Sequence, residues 1–406
     1  MAGLPTTTST SPKSTGVVRA QIPALIIGII GTVAAAAGYF LTNPQEFSRA
    51  WLPAFIFWFY IAAGALGILC LQYVTGGEWG ILIRRPLGAA ARTIPLFLLF
   101  GIPIVLGLKY IYPWADQAQV AANSLLAMKT KYWLNAPAWL GRTAFYFLLW
   151  TLWAWRLRKL SLRFYEDRSP YVELSRRKWA AAGLLVFVFT LTFVSIDWVM
   201  SLEPLWYSSM FGIAFLVGAG LSAYAFVTLF LGLISDTKAM EDILKPNHFR
   251  DLGNLMLAFT MLWAYTNFSQ FLLIWYGNIK EETPYYVTRM HGVWGWMAGA
   301  LILFHFFLPF TMLLMRGIKD RPKTIMIVTV IILVMRFVDT YWLIGPAFHG
   351  HHFYFSWITL AAFLGIGGLW LFAFLSQLKG QTIIPIHQTW VDEAIQEGAL
   401  SRQGAR

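Results

Sequence analysis

The stretch WLPAFIFWFYIAAGALGILCLQYV, residues 51–74, runs for 24 residues without a charged side chain. As an α-helix rising about 1.5 Å per residue, it would cover about 36 Å, which exceeds the roughly 30 Å hydrocarbon core of a bilayer. Nine other apolar runs of similar character lie along the chain. The sequence therefore predicts an all-α integral membrane protein.

We predict about ten transmembrane helices, and they make up one membrane domain over residues 20–377. A disordered cytoplasmic head at 1–19, rich in Ser, Thr and Pro, precedes this domain, and a cytoplasmic tail at 378–406 follows it. Gly101 and Pro103 interrupt the third span, so we expect a kink there. The predicted spans are 20–41, 51–74, 93–111, 138–155, 179–200, 209–233, 253–276, 292–315, 324–344 and 355–377.

The composition excludes several classes of protein. Hydrophobic residues make up 58% of the 406 residues and charged residues only 12%, whereas soluble domains carry about 25% charged residues. A soluble enzyme and a disordered chain are therefore excluded. Because Cys70 is the only cysteine, the chain can form no internal disulfide, iron–sulfur site or covalent c-type haem.

The positive charges fall unevenly between the two predicted sides of the membrane. Of the 31 Lys and Arg residues, 23 fall on the side that holds both termini, 7 on the other side, and Arg336 within a span. The positive-inside rule then places both termini in the cytoplasm. The net charge of +12 is thus mostly a topology signal, and nucleic acid is not an expected partner. Residues 156–178 form a strongly basic inner loop, which we expect to contact anionic lipid or a partner protein.

Ionisable side chains in or near the predicted spans are candidates for a proton path, because such groups are costly in a membrane. Asp197 and Glu203 lie close together at the outer edge of spans five and six. Arg336 and Asp339 share one face of span nine, and His305 lies near the middle of span eight. With the outer His291, the candidate proton path comprises Asp197, Glu203, His291, His305, Arg336 and Asp339. Each group also has an alternative role. Asp197 and Glu203 would be interfacial helix caps, Arg336 and Asp339 a structural ion pair, and His305 a packed core residue.

Span seven carries a second polar set in its outer half. Tyr265 and Ser269 share one face, and Asn267 and Gln270 form a neighbouring strip. These four residues are candidates for the polar lining of a path, with interhelical hydrogen bonding as the alternative. His349, His351 and His352 give only a weak metal signal in a loop, so we predict no metal site.

The candidate residues are concentrated toward the outer face, which predicts half of a polar path opening outward. A secondary transporter would be expected to show a midplane site on paired broken helices, and no two spans are interrupted in matching positions. Transport is therefore a weaker hypothesis.

Three segments resemble a known family. They are Asp197-Trp198-Val199-Met200-Ser201-Leu202-Glu203-Pro204 with Trp206-Tyr207-Ser208, Phe268 to Asn278 followed by Glu281-Glu282, and Arg336-Phe337-Val338-Asp339 with Pro346. They resemble the ActF-type membrane subunit, called quinone-binding subunit 2, of bacterial alternative complex III, within the NrfD/PsrC-like integral membrane family. One difference is Leu205, where the family pattern often has a histidine after Glu-Pro.

The resemblance implies more than the residues themselves show. Spans two to five and six to nine would form two four-helix bundles, flanked by spans one and ten. The partners would be an NrfD-like sister membrane subunit, an extracytoplasmic iron–sulfur subunit and haem c subunits. These partner subunits would hold the haem c and the iron–sulfur clusters, and the sister subunit would be the better-supported site of quinol oxidation.

The favoured hypothesis is an auxiliary, non-catalytic membrane subunit of a quinol:electron-acceptor oxidoreductase. It would support assembly and a proton half-channel in the bacterial cytoplasmic membrane. A quinone or a lipid is the ligand class left open for this chain. The rival hypotheses are a purely structural membrane scaffold and, more weakly, a secondary transporter.

Overall fold

The computed structural model describes residues 19–167, 169–236 and 244–379 of the protein. The described residues form helices joined by turns, and they contain no β-strand. This confirms an all-α architecture. The predicted head lies outside the described residues up to position 18, and the predicted tail lies outside them from position 380.

The long helices alternate in direction, with short helices between some of them. The helices are α1 Gln21–Leu41, α2 Pro44–Thr75, α3 Arg84–Ala91, α4 Leu96–Phe100, α5 Ile102–Leu106, α6 Leu108–Ile111, α7 Gln117–Ala122, α8 Ser124–Tyr132, α9 Ala136–Glu166, α10 Pro170–Trp198, α11 Met210–Ile234, α12 Pro246–Gly277, α13 Thr283–Met290, α14 Gly292–Leu314, α15 Arg316–Lys319, α16 Pro322–His349 and α17 Trp357–Leu378.

Eight of the described helices are long and apolar enough to cross a membrane, which supports a multi-pass membrane protein. They are α1, α2, α10, α11, α12, α14, α16 and α17. The segments Arg84–Ala91 and Leu96–Leu106, bent by 43°, give a ninth span if they act as one. Helix α9 covers the predicted fourth span with 31 residues, but its many Trp and Arg side chains lower its hydropathy. Ten spans therefore remain a prediction.

One local expectation was met in part and another was wrong. The third span is interrupted at Gly101, as predicted, because one helix ends at Phe100 and the next begins at Ile102, but a 43° bend lies ahead of it over 92–95. Residues 156–178 are not a loop, because α9 continues to Glu166 and α10 begins at Pro170. The Arg176 guanidinium lies over the rings of Tyr73 and Phe164, so the end of α2, the end of α9 and the start of α10 are held together.

Helix α2 lies at the centre of the molecule and is almost completely buried. Small residues allow its neighbours to approach closely. A Cβ on Gly64 would lie 2.0 Å from the carbonyl oxygen of Ala219, and one on Gly67 would lie 2.5 Å from the Phe187 ring. Helix α2 therefore packs tightly against both α10 and α11. On the side of α10, the packing is completed by α3 and α9. On the side of α11, it is completed by α12, α14 and α16. The division into two four-helix bundles remains a prediction.

The first and last described helices form a close pair. Gly28 faces Gly368, and Gly31 faces Gly365, with backbone in contact with backbone. Gln21 Nε2 donates to Ser376 Oγ at 2.6 Å, so α1 starts where α17 ends. We call this the basic end, because Arg84, Arg92 and Arg176 also lie there. The end that holds Asn43, Glu203 and His349 is called the opposite end.

Replacing Gly31 with alanine should destabilise the α1–α17 pair. A Cβ there would lie 2.4 Å from the Gly365 nitrogen and 2.8 Å from the Ala361 carbonyl oxygen. Because both are backbone atoms, the helices must separate, and we expect a loss of about 1–3 kcal/mol. Thermal unfolding of the detergent-purified protein measures this effect. Gly299→Ala is the matched control, since nothing lies within 4 Å of its Cβ position. Equal midpoints for the two variants would contradict the packing argument.

Candidate functional site

Three buried or partly buried ion pairs hold the acidic candidates. Asp197 pairs with Arg142, Glu203 with Arg289, and Asp339 with Arg336. The sequence predicted that Asp197 and Glu203 lie close together at the outer edge of spans five and six. In the structure each of the two carboxylates pairs with its own arginine.

The Asp197 carboxylate is completely buried and fully occupied by donors. Arg142 donates from Nε and Nη2 at 2.9 and 2.8 Å, Tyr146 from its hydroxyl at 3.0 Å, and Trp133 from Nε1 at 3.0 Å. The Asp197 carbonyl oxygen also accepts from Trp139 Nε1. A carboxylate with four donors is firmly held in position, so this cluster has the character of a structural clamp between α9 and α10.

The Glu203 pair is arranged differently. Arg289 is 1% exposed, and its Nη1 donates to both Glu203 carboxylate oxygens at 3.1 Å, while Glu203 itself is 26% exposed. The guanidinium lies 3.5 Å from the centroid of the Tyr285 ring, and Trp206 stacks on the other face of that ring at 3.7 Å. In the part of the chain that the structure describes, three polar atoms here have no hydrogen-bond partner: Arg289 Nε, the Tyr285 hydroxyl and Trp206 Nε1. This region is therefore buried but not fully satisfied, which is where bound water is expected.

The predicted lining residues of α12 differ in burial, and some face the protein interior whereas others face its surface. Gln270 is buried, donates to the Tyr286 hydroxyl and accepts from Ser208, so it lies beside the Glu203 region. Asn267 donates only to the Trp263 carbonyl oxygen of its own helix. Tyr265 is 65% exposed and Ser269 is half-buried, so Tyr265 does not line an internal path. His291 is exposed and contacts its own helix and His351.

The Arg336–Asp339 pair lies deeper and joins several helices. Arg336 Nη1 donates to Asp339 Oδ2, and Arg336 Nε reaches Ser222 Oγ on α11 at 3.3 Å. The guanidinium lies over the Tyr60 ring of α2 at 4.9 Å. Trp263 Nε1 of α12 donates to Asp339 Oδ2 at 3.2 Å. Four long helices therefore meet at this one ion pair.

His305 adds a fifth helix to this cluster. Its imidazole is completely buried and stacks on Trp263 with ring centroids 4.1 Å apart, and neither ring nitrogen has a hydrogen-bond partner among the described residues. The residue lies within a π-helical segment, Leu301–Phe307, in the middle of α14. Such segments are rare and are frequent at functional sites.

The Glu203 and Asp339 regions are adjacent. Arg289 Nη2 donates to the Leu343 carbonyl oxygen at 2.8 Å, and Leu343 lies one helical turn along α16 from Asp339. Burial raises the pKa of the Tyr285 phenol; the Arg289 guanidinium opposes this rise, and the Glu203 and Asp339 carboxylates add to it. A row of polar groups therefore runs inward from the partly exposed Glu203 to Asp339, Arg336 and His305.

Sequence reasoning missed several members of this site. Arg142 and Arg289 counted only as loop charges, and Tyr60, Ser222, Trp263 and Tyr285 were not selected. The spacing of Tyr285 and Arg289, four residues apart in a short helix, is a signal that could have suggested their contact. No group of potential metal ligands occurs in the described ranges, including around His349, His351 and His352.

Comparison with known proteins adds no identity to this picture. No protein-family model matches the chain. No curated protein matches it at a significant level either.

Replacing Asp197 with asparagine should reduce stability. The change leaves the Arg142 guanidinium, which is only 17% exposed, without its carboxylate. Breaking a buried pair costs about 3–5 kcal/mol, and we expect the lower part of that range because Arg142 reaches some water. The midpoint of thermal unfolding in detergent measures the loss. Glu281→Gln, on an exposed loop at the same end, should unfold like the unaltered protein. An Asp197→Asn midpoint equal to that control would rule out the clamp.

Proposed function

We propose that the protein is an integral membrane subunit of a quinol-oxidising complex of the alternative complex III type, resembling its ActF subunit. The support is the three sequence segments that resemble this subunit. Four residues of those segments lie along or beside the polar row, namely Glu203, Gln270, Arg336 and Asp339. In this proposal an NrfD-like sister subunit oxidises quinol, and partner subunits hold the iron–sulfur clusters and haem c.

The proposed orientation follows from charge. The basic end faces the cytoplasm under the positive-inside rule, which places both termini there. The opposite end, with Glu203, then faces the extracytoplasmic side of the bacterial inner membrane. The polar row is thus a half-channel that connects that side with the middle of the protein.

The observation that carries the proton role is that His305, beside the Arg336–Asp339 pair, makes no side-chain hydrogen bond to any residue within 19–167, 169–236 or 244–379. Buried polar groups without partners are rare, and water or a transferable proton explains them best at this site. Glu203 would exchange protons with the outside, and Tyr285 and Asp339 would connect it to His305. Asp197 fits this role less well, because four donors already occupy its carboxylate oxygens. Leu205, which is 44% exposed, offers no titratable group at the mouth.

Replacing Asp339 with asparagine tests the proton role. The side chain keeps its size, but it no longer offers a carboxylate to exchange a proton beside Arg336. We expect a complex that assembles normally and shows quinol oxidation or proton release reduced about tenfold or more. Both rates are measured on complex purified through a tag on this chain. Asp116→Asn, on a helix-capping residue at the same end, is the control. Unchanged turnover and unchanged proton release in the assembled Asp339→Asn complex would contradict the proposal.

A purely structural scaffold is the second candidate. The observation that favours it is that the Arg336–Asp339 pair contacts α2, α11 and α12, so it holds three neighbouring helices to α16. A buried ion pair that serves only packing can often be replaced by a matched apolar pair at little cost.

The double variant Arg336→Leu with Asp339→Leu separates the two functions. If the pair serves the proton path, the complex should assemble and its turnover or proton release should fall as it does in Asp339→Asn. If the pair is a packing device, assembly and activity should both be retained. Subunit content by mass spectrometry and quinol oxidation by the purified complex are the measurements. Full activity of the assembled double variant would support the scaffold and refute the proton path.

A further inference from the structure

A cavity of about 270 Å³ opens at the opposite end, between the start of α2, the end of α16 and the start of α17. Its polar lining includes Glu46, Arg49, Tyr341, His349, Tyr354 and Thr359. None of these residues belongs to the row from Glu203 to His305, and none was selected from the sequence as a proton-path or lining candidate. The cavity is therefore a separate feature of the protein.

The acidic side of the cavity is held in place by hydroxyl donors. Glu46 Oε1 accepts from the Tyr354 hydroxyl at 2.7 Å and from Ser356 Oγ at 2.6 Å. The other carboxylate oxygen, Oε2, has no hydrogen-bond partner in the described part of the chain. The Tyr341 hydroxyl donates to the Tyr354 carbonyl oxygen, which fixes the loop that carries these donors. One oxygen of a fixed carboxylate is thus free to accept from a ligand.

The basic side of the same cavity is formed by Arg49 and His349. Arg49 Nε donates to the Tyr110 carbonyl oxygen at 3.0 Å, and its guanidinium lies over the Phe348 ring. Within the described ranges Arg49 has no carboxylate partner; its Nη1 and Nη2 donate to the Gln45 amide oxygen at 2.9 and 2.7 Å, and each nitrogen keeps a second N–H for a ligand. The His349 imidazole packs against Tyr354 and makes no hydrogen bond to the described residues. Both groups are therefore able to contact an oxyanion.

Two helix N-termini strengthen the attraction for an oxyanion. Helix α2 begins after its cap Asn43, and α17 begins after its cap Ser356; both caps line the cavity. The positive ends of two helix dipoles, together with Arg49, oppose the negative charge of Glu46. The site as a whole suits a ligand with one positive and one negative group better than a simple ion.

The length of the helices places the cavity in the head-group layer. Helix α2 has 32 residues and α16 has 28, or about 48 and 42 Å, both longer than the roughly 30 Å hydrocarbon core. Residues near their ends, such as Glu46 and His349, therefore lie outside that core. Phe353, Phe355 and Trp357 are exposed beside the cavity, as is typical of aromatic residues at a membrane interface.

We propose that this cavity binds the head group of a phospholipid with a primary ammonium and a phosphate, such as phosphatidylethanolamine. The ammonium would donate to the free oxygen of Glu46 beside the ring of Tyr354. The phosphate oxygens would accept hydrogen bonds from the Arg49 guanidinium. They would lie toward the N-termini of α2 and α17. Phosphatidylcholine has no N–H to donate to Glu46, and phosphatidylglycerol has no cation, so both should bind less well.

The test measures lipid retention by native mass spectrometry. The tag-purified protein is reconstituted with equal amounts of phosphatidylethanolamine, phosphatidylcholine and phosphatidylglycerol, and the retained lipids are counted. We expect phosphatidylethanolamine to be enriched over the other two. Glu46→Gln should reduce its preference over phosphatidylcholine about tenfold, the effect of losing one hydrogen bond to a charged group. Arg49→Gln should reduce retention of all three lipids, and Glu281→Gln should change nothing.

Several outcomes would overturn the proposal. One is the absence of any phosphatidylethanolamine enrichment on the unaltered protein. This outcome remains decisive even if Glu46→Gln does not fold after losing the acceptor for Tyr354 and Ser356. A folded Glu46→Gln variant with an unchanged preference would also overturn it. Displacement of the retained lipid by millimolar phosphoethanolamine, together with direct binding of that compound, would identify a soluble zwitterion as the ligand instead.

Discussion

The burial of Arg336 is the constraint on which the arrangement of the helices depends. A guanidinium in the interior of a membrane protein must find its partners within the protein, because lipid offers none. Asp339 supplies the charge, Ser222 an oxygen and Tyr60 a ring face. Gly218 supplies space, since a Cβ there would lie 2.3 Å from Arg336 Nη2. Helices α2, α11 and α16 must therefore pack closely around this one side chain.

Other buried charged groups of the molecule also need partners within the protein, and their hydrogen bonding differs between two regions. At Asp197 every acceptor is used, and the cluster joins α9 to α10 as a fixed unit. From Glu203 to His305, hydrogen bonding within the described ranges is incomplete, with unpaired atoms on Trp206, Tyr285, Arg289 and His305. Full pairing favours rigidity, whereas incomplete pairing leaves groups that can hold water or exchange a proton. This contrast, more than the presence of charge, separates the structural cluster from the candidate path.

Local sequence patterns predicted the features that depend on residues close together in the sequence. The long apolar runs indicated the membrane helices, and the three-residue spacing of Arg336 and Asp339 indicated their contact. The pairs Arg289–Glu203 and Arg142–Asp197 join residues 86 and 55 positions apart, so their contact depends on packing that no local pattern encodes. The basic segment at 156–178 was misinterpreted because helices α9 and α10 continue beyond the apolar part of their sequences. The π-helical segment at His305 has no comparable signature in sequence.

We propose that this protein belongs to a quinol-oxidising complex and contributes a polar path rather than a redox centre. Under this proposal the iron–sulfur clusters and haem c are held by partner subunits, and the single cysteine of this chain is in keeping with that. The most direct test is a redox difference spectrum, with subunit masses, of the material that co-purifies with the tagged protein in mild detergent. We expect haem c absorption in the spectrum, and iron–sulfur and NrfD-like chains among the co-purified subunits. A colourless protein without partners would contradict it and would make a secondary transporter the leading explanation.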